Sequence, residues 1–107
     1  MALSEQEFRI KSDEALQQAR RGLMSLADAD AGFELELQNG VLNLVFESPS
    51  ETKFVVSPNA PVRQIWVSAM ARSYKLSWTP ASDAFALDGE TLPQLLDRLA
   101  RTFLEGS

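Results

Sequence analysis

Carboxylates are the side chains best suited to chemistry here, because the 107 residues include 15 Asp and Glu but no Cys and no His. Without Cys and His, the chain can build no thiolate nucleophile, no Cys/His zinc site and no Ser-His-Asp triad. A bound metal would need carboxylates, carbonyls and water, which suit hard cations and weakly held iron. An enzyme such as a ferroxidase or a carboxylate-pair hydrolase is disfavoured, since no pair of acids falls where a cleft is expected and no His can shuttle protons.

The charged residues are unevenly distributed along the chain. Residues 1–36 contain eight acids and four bases, whereas residues 52–82 contain four bases and no acid. The net charge of −5 argues against binding to nucleic acid, which requires a basic surface. The separation of the two signs along the chain is suited to steering a charged protein partner.

A tryptophan in the segment Gln64-Ile65-Trp66-Val67-Ser68 is the main candidate for partner binding. In a strand, Ile65 and Val67 point to one side and Trp66 points to the other, beside polar neighbours. A large aromatic residue on an open sheet surface is a frequent binding hot spot. The alternative is that a loop or helix of the same chain covers Trp66.

Two helices and a set of strands must position these side chains. Ser4 and Glu7 form a capping box that predicts the start of a first helix, and Thr91 with Gln94 predicts the start of a last one. Between the helices, apolar and polar residues alternate as in strands at about 33–37, 41–46, 53–57, 63–68, 73–78 and 84–87.

Turn signals separate these strands. Asn39-Gly40 predicts the first hairpin, and Pro58 and Pro61 are expected to interrupt the chain before the fourth strand. Because only one strand face is apolar, both helices must cover that face. The prediction is a single α+β domain over residues 1–107: a two-layer α/β sandwich, with two terminal helices packed on one face of a five- to six-stranded antiparallel sheet.

No apolar run reaches the length of a membrane span, and the start of the chain resembles neither a signal peptide nor an Arg-rich presequence. We therefore expect no membrane association and a cytoplasmic location, or the mitochondrial matrix if a leader has been removed.

Several short motifs together resemble the frataxin family, in bacteria the CyaY type. They are Asn39-Gly40-Val41-Leu42, Pro61 followed by Gln64-Ile65-Trp66-Val67-Ser68, Trp78 at the end of the fifth strand, and Asp88-Gly89-Glu90-Thr91-Leu92 followed by Leu95-Leu96. The resemblance extends from about Phe8 to Leu104. It implies a frataxin-like fold and a monomeric, non-enzymatic, iron-binding protein of iron–sulfur cluster assembly that binds the cysteine desulfurase and the scaffold protein.

The resemblance also implies an acidic ridge on the first helix and first strand that binds Fe2+ or Fe3+ weakly. Frataxins crowd acids along the second half of helix 1, but residues 18–25 here contain no acid and include Arg20 and Arg21, which we expect to weaken cation binding. The remaining candidate ligands are Asp28, Asp30, Glu34 and Glu36, with Asp13 and Glu14 as a second patch.

The family also implies that the open sheet surface faces the assembly machinery. The predicted partner-binding residues are Trp66, Gln64, Ser68, Arg63, Lys75 and Ser57. An alternative is a protein-interaction module of the same machinery that has kept this surface but has little or no physiological iron binding. Glu34 and Glu36 could also protect an edge strand against aggregation.

Overall fold

In the computed structural model, which describes residues 3–28, 33–47 and 50–106, the first helix begins at the predicted capping box. The helix, α1, spans Glu5–Ala27. The Ser4 hydroxyl accepts a hydrogen bond from the Glu7 N–H, and the Ser4 N–H donates to the Glu7 carboxylate, both at 3.1 Å. The bond from the Ser4 backbone lowers the pKa of Glu7, because it stabilises the ionised carboxylate.

The second helix, α2, spans Leu92–Gly106, and the N–H of Thr91 donates to the Gln94 side chain at 2.9 Å, as the predicted cap requires. None of the helices in the described ranges combines the length and the apolar content that crossing a bilayer requires.

A seven-stranded antiparallel meander lies between the helices, and each strand pairs with its neighbours in sequence. The strands are β1 (Glu34–Gln38), β2 (Val41–Phe46), β3 (Thr52–Asn59), β4 (Gln64–Ala69), β5 (Arg72–Thr79), β6 (Ala84–Leu87) and β7 (Glu90–Thr91). The predicted two-layer α+β fold is confirmed, with one strand more than the expected five or six. The additional strand, β7, has only two residues, which are too few to show an alternating pattern.

Strand β3 continues through Pro58, where an interruption was expected. Its pairing with β2 ends at Val56, so the last residues of β3 pair only with β4. Pro is tolerated where one side of a strand lacks a partner, because its missing N–H then breaks no ladder hydrogen bond. A short 3₁₀ helix, Ala60–Val62, then connects β3 to β4.

Alternation along the strands directs one set of apolar side chains toward the helices. Phe46 is central to an aromatic cluster, with ring centroids 4.7 Å from Phe33 and 4.8 Å from Phe54 and Phe103. Trp78 lies on this side, as expected, with its ring 5.3 Å from that of Phe85. Since the core lies between sheet and helices, the other sheet face is directed toward solvent.

Among the described residues, three two-residue hairpin turns use left-handed backbone conformations: Asn39-Gly40, Met70-Ala71 and Asp88-Gly89. Asn39 and Gly40, with φ of 52° and 74°, join β1 to β2 as predicted. Met70 and Ala71, with φ of 50° and 63°, join β4 to β5 in the same way. The second pair lacks the residue types that tolerate this conformation, so each residue is strained by about 1–2 kcal/mol.

Candidate partner-binding face and carboxylate edge

The open face of the sheet places three of the predicted partner-binding residues in one row across β3, β4 and β5. Ser57 pairs with Trp66, and Trp66 pairs with Lys75. Directly opposite residues in an antiparallel pair share a face, with Cβ atoms about 4.5–5.5 Å apart. The row therefore has an aromatic centre between a hydroxyl and an ammonium group.

Neighbouring side chains hold the Trp66 indole in one orientation. Its Nε1 donates to Gln64 Oε1 at 3.0 Å, and Gln64 Nε2 donates to Ser77 Oγ at 3.3 Å. The Lys75 ammonium lies 4.9 Å from the Trp66 ring centroid, within cation–π range. Trp66 remains 37% exposed. A large aromatic group held in place in this way loses little conformational freedom when a partner covers it.

Half-exposed valines extend this surface toward β1, and the sequence interpretation did not assign them a function. Val55 lies opposite Ser68 and next to Asn43, and Val45 lies opposite Lys53 on the same face. Their signal in the sequence is weak, because a Val on the polar side of a strand also reflects the ordinary preference of β-branched residues for sheets. Together with Trp66 they make the centre of the open face partly apolar.

Arg63, unlike the other predicted partner-binding residues, lies outside the strands of the sheet. It precedes β4 in a left-handed conformation, with φ of 54°. Its Nε donates to the carbonyl of Leu3 at 3.2 Å, and its Nη1 donates to the carbonyl of Ala60. The guanidinium therefore ties the 3₁₀ helix to Leu3, two residues before the start of α1. The alternation predicts a fourth strand from Arg63, whereas β4 begins one residue later, at Gln64, and Arg63 lies at its entry.

The two glutamates of β1 point to the same open face. Glu34 pairs with Val45 and Glu36 pairs with Asn43, and both glutamates are exposed. Residues two apart along a strand are separated by about 7 Å. The predicted metal ligands of β1 are therefore continuous with the face that carries Trp66.

The other candidate carboxylates lie on or beside α1. Asp28 lines a groove together with Glu34 and Arg20, so two predicted ligands and one predicted opposing charge meet at the helix-to-strand junction. Asp13 accepts a hydrogen bond from Gln17 at 2.9 Å. Glu14 lies 3.9 Å from the Lys11 ammonium. Asp30 lies outside the described residues.

Within residues 3–28, 33–47 and 50–106, no group of three or more carboxylates is close enough to form a metal cage. The oxygen donors at the junction have the chemistry that iron and other hard cations accept. Because Asp28 and Glu34 are exposed, they fit a cation that keeps most of its water ligands.

Comparison with known proteins decides the family. The family model described as a frataxin-like domain matches residues 1–106. The chain belongs to the frataxin-like family. The iron-sulfur cluster assembly protein CyaY of Pseudomonas aeruginosa is 37% identical over 73 residues, which cover 66% of this chain and 66% of that protein. The protein of that name from Ectopseudomonas mendocina is 33% identical over 109 residues, which cover all of this chain and 92% of the relative.

Two solved frataxin structures share the fold of this chain. Frataxin from Psychromonas ingrahamii has a TM-score of 0.70 at 19% identity, over 94% of this chain and 90% of that one. Yeast frataxin has a TM-score of 0.68 at 19% identity, over 95% and 84% of the two chains. Among the curated relatives, the match covers 66% of the length of the Pseudomonas aeruginosa protein and 64% of the length of CyaY from Cupriavidus metallidurans, slightly less than two thirds of each.

Proposed function

We propose that this frataxin-like protein is a non-enzymatic adaptor and regulator of iron–sulfur cluster assembly that binds the cysteine desulfurase and its scaffold protein. Membership of the family and the names of the CyaY relatives support the process. The observation that supports a binding role most directly is Trp66, which is oriented by Gln64 and Lys75 and is still 37% exposed. Central aromatic residues with a polar surround are typical hot spots of protein interfaces.

Charge on the open face favours one docking orientation. Lys53 and Lys75 lie on the exposed sides of β3 and β5, and the stretch 52–82 contains no acid. Glu34 and Glu36 lie at the opposite end of the same face, on β1. A complementary partner would present acids toward β3–β5 and bases toward β1, which fixes its orientation during encounter.

The binding proposal is tested with purified desulfurase–scaffold complex and the matched variants Lys75→Glu and Arg101→Glu. Arg101 is an exposed base on α2, where it pairs with Asp97 at 2.9 Å, so both variants make the same charge change on different layers. We expect Lys75→Glu to weaken binding, most strongly at low salt, and Arg101→Glu to leave it unchanged. No measurable binding by the unmodified protein, or equal losses in both variants, contradicts the proposed interface.

We also propose weak iron binding at the helix-to-strand junction, through Asp28, Asp30, Glu34 and Glu36, with Asp13 and Glu14 as the second patch. Exposed carboxylates compete poorly with water for a cation, so the affinity is expected to be low. Arg20 lines the groove of Asp28 and Glu34 and should oppose cation capture.

Anaerobic titration with Fe2+, followed by backbone amide NMR, tests the iron proposal separately from partner binding. Selective broadening around residues 28–36 is expected, and replacing the four junction acids by Asn and Gln should abolish it. Arg20→Glu should raise the affinity, whereas Arg21→Glu, an equal charge change at the adjacent exposed position, should raise it less. Absence of broadening at tens of micromolar iron would favour the alternative, an interaction module without physiological iron binding.

A further inference from the structure

The free edge of β1 has the features of a strand-addition site. β1 stands at one end of the strand order and, in the part of the chain that is described, pairs only with β2. Every second residue of such a strand directs its N–H and C=O groups away from its neighbour, where another strand can pair with them. The edge at the other end of the sheet, β7, has two residues, whereas β1 has five. β1 is therefore the longer template.

The side chains of β1 alternate in a way that specifies an incoming strand. Glu34, Glu36 and Gln38 are exposed on the open face, whereas Leu35 and Leu37 are half-buried and pack against the core. A strand added in register would place one set of its side chains beside the glutamates and the other set beside the leucines.

A groove on the helix side gives the second set a place to pack. The groove is the one that Arg20, Asp28 and Glu34 line between α1 and the start of β1, and its apolar walls are Met24, Ala27, Phe33 and Leu35. Met24 is 44% exposed, although it is a large apolar residue. An apolar side chain from an added strand, placed next to Leu35, would cover apolar surface that is now in contact with water.

Charge decides which strand the edge accepts. If β1 paired with β1 of a second copy in an antiparallel arrangement centred on Glu36, the two Glu36 side chains would lie opposite each other, and like charges so placed are destabilising. Lys or Arg at the same positions would instead form opposite-charge pairs with Glu34 and Glu36. We propose that the β1 edge binds an extended basic segment of a partner protein, with alternating basic and apolar residues, by strand addition.

This inference requires neither iron nor the Trp66 face, so its test is carried out with a chelator present and with the full chain. The probe is a capped peptide of about seven residues, slightly longer than β1, in which Lys and Val alternate. We expect saturable binding that weakens with salt, with amide chemical-shift changes centred on residues 34–38. The same peptide with every backbone amide N-methylated keeps its charge but can donate no backbone hydrogen bond along either edge, so it should bind at least about tenfold more weakly.

Two charge-reversal variants distinguish the edge from general attraction to an acidic protein. Glu34→Lys with Glu36→Lys should abolish binding of the Lys-Val peptide and create binding of a Glu-Val peptide. Asp13→Lys with Glu14→Lys makes the same charge change on the exposed side of α1 and should leave the Lys-Val peptide bound at residues 34–38. Equal binding of the N-methylated peptide, equal losses in both double variants, or shifts centred elsewhere would each overturn the proposal.

Discussion

Replacing Trp66 with Ala separates the contribution of this side chain to partner binding from its contribution to folding. Trp66 is 37% exposed, and a Trp side chain presents at most about 250 Å², so about 90 Å² remains for a partner to cover. At about 25 cal/mol per Å² this area corresponds to about 2 kcal/mol. The expected loss of affinity for the desulfurase–scaffold complex is therefore about thirtyfold.

The same substitution should reduce stability only modestly, because Trp66 lies outside the core. It removes a cross-strand pair with Ser57, worth about 0.2–1 kcal/mol, and a cation–π contact with Lys75, worth about 0.5–1 kcal/mol at an exposed position. A loss of about 1 kcal/mol lowers the thermal midpoint of a domain of this size by about 4–8 °C. By contrast, Phe54→Ala, at a fully buried position, should cost about 3–5 kcal/mol.

The assay pairs calorimetric unfolding of each variant with titration of the desulfurase–scaffold complex. Ser73→Ala serves as the control on the same face, because Ser73 pairs with Ser68, is exposed and is not one of the predicted partner-binding residues. A large fall in the midpoint of Trp66→Ala with unchanged affinity would refute the reasoning. That outcome would mean that the indole stabilises the sheet and is not an anchor for the partner.

Three further changes test individual contacts. Arg63→Ala removes two hydrogen bonds to backbone carbonyls and should lower the free energy of unfolding in urea by about 1–2 kcal/mol, with no change in partner affinity; a selective loss of affinity would restore Arg63 to the interface. The hydrogen bond from Arg98 lowers the pKa of Glu90, so the stabilisation is complete above the ordinary Glu pKa and is lost as pH falls through the lowered value. Glu90→Gln should therefore lower the free energy of unfolding by about 0.5–1 kcal/mol at neutral pH and make stability fall less steeply as the pH is lowered. An equally steep fall in the variant and the unmodified protein would contradict this role of the Arg98–Glu90 pair. Met70→Asn with Ala71→Gly should raise the urea midpoint by relieving strain of about 1–2 kcal/mol per residue at the β4–β5 turn; an unchanged midpoint would argue against that strain.

Elements whose signals are local could be predicted from the sequence. The capping box at Ser4, the Asn39-Gly40 hairpin and the alternation around Trp66 each depend on neighbouring residues, and the structure places them as predicted. The two-layer arrangement followed from the single apolar face, because both helices had to cover it.

Features that depend on distant residues could not be predicted in this way. Pro58 lies within a strand because the pairing of β2 ends before it is reached, which only the register reveals. Arg63 points to Leu3, 60 positions earlier in the chain, so local alternation could not place its guanidinium. The groove that joins Asp28 to Glu34 likewise forms only when α1 packs beside β1.

The strictly sequential strand order has a consequence for synthesis on the ribosome. Each strand can pair as soon as it emerges, because the preceding strand, which is its neighbour in the sheet, has already emerged. α2, however, packs against α1, and it follows β1 to β7 in the sequence. The apolar sheet face therefore stays partly uncovered until α2 has been synthesised. The nascent chain is most exposed to aggregation during that interval, so rapid docking of α2 is an advantage for its folding.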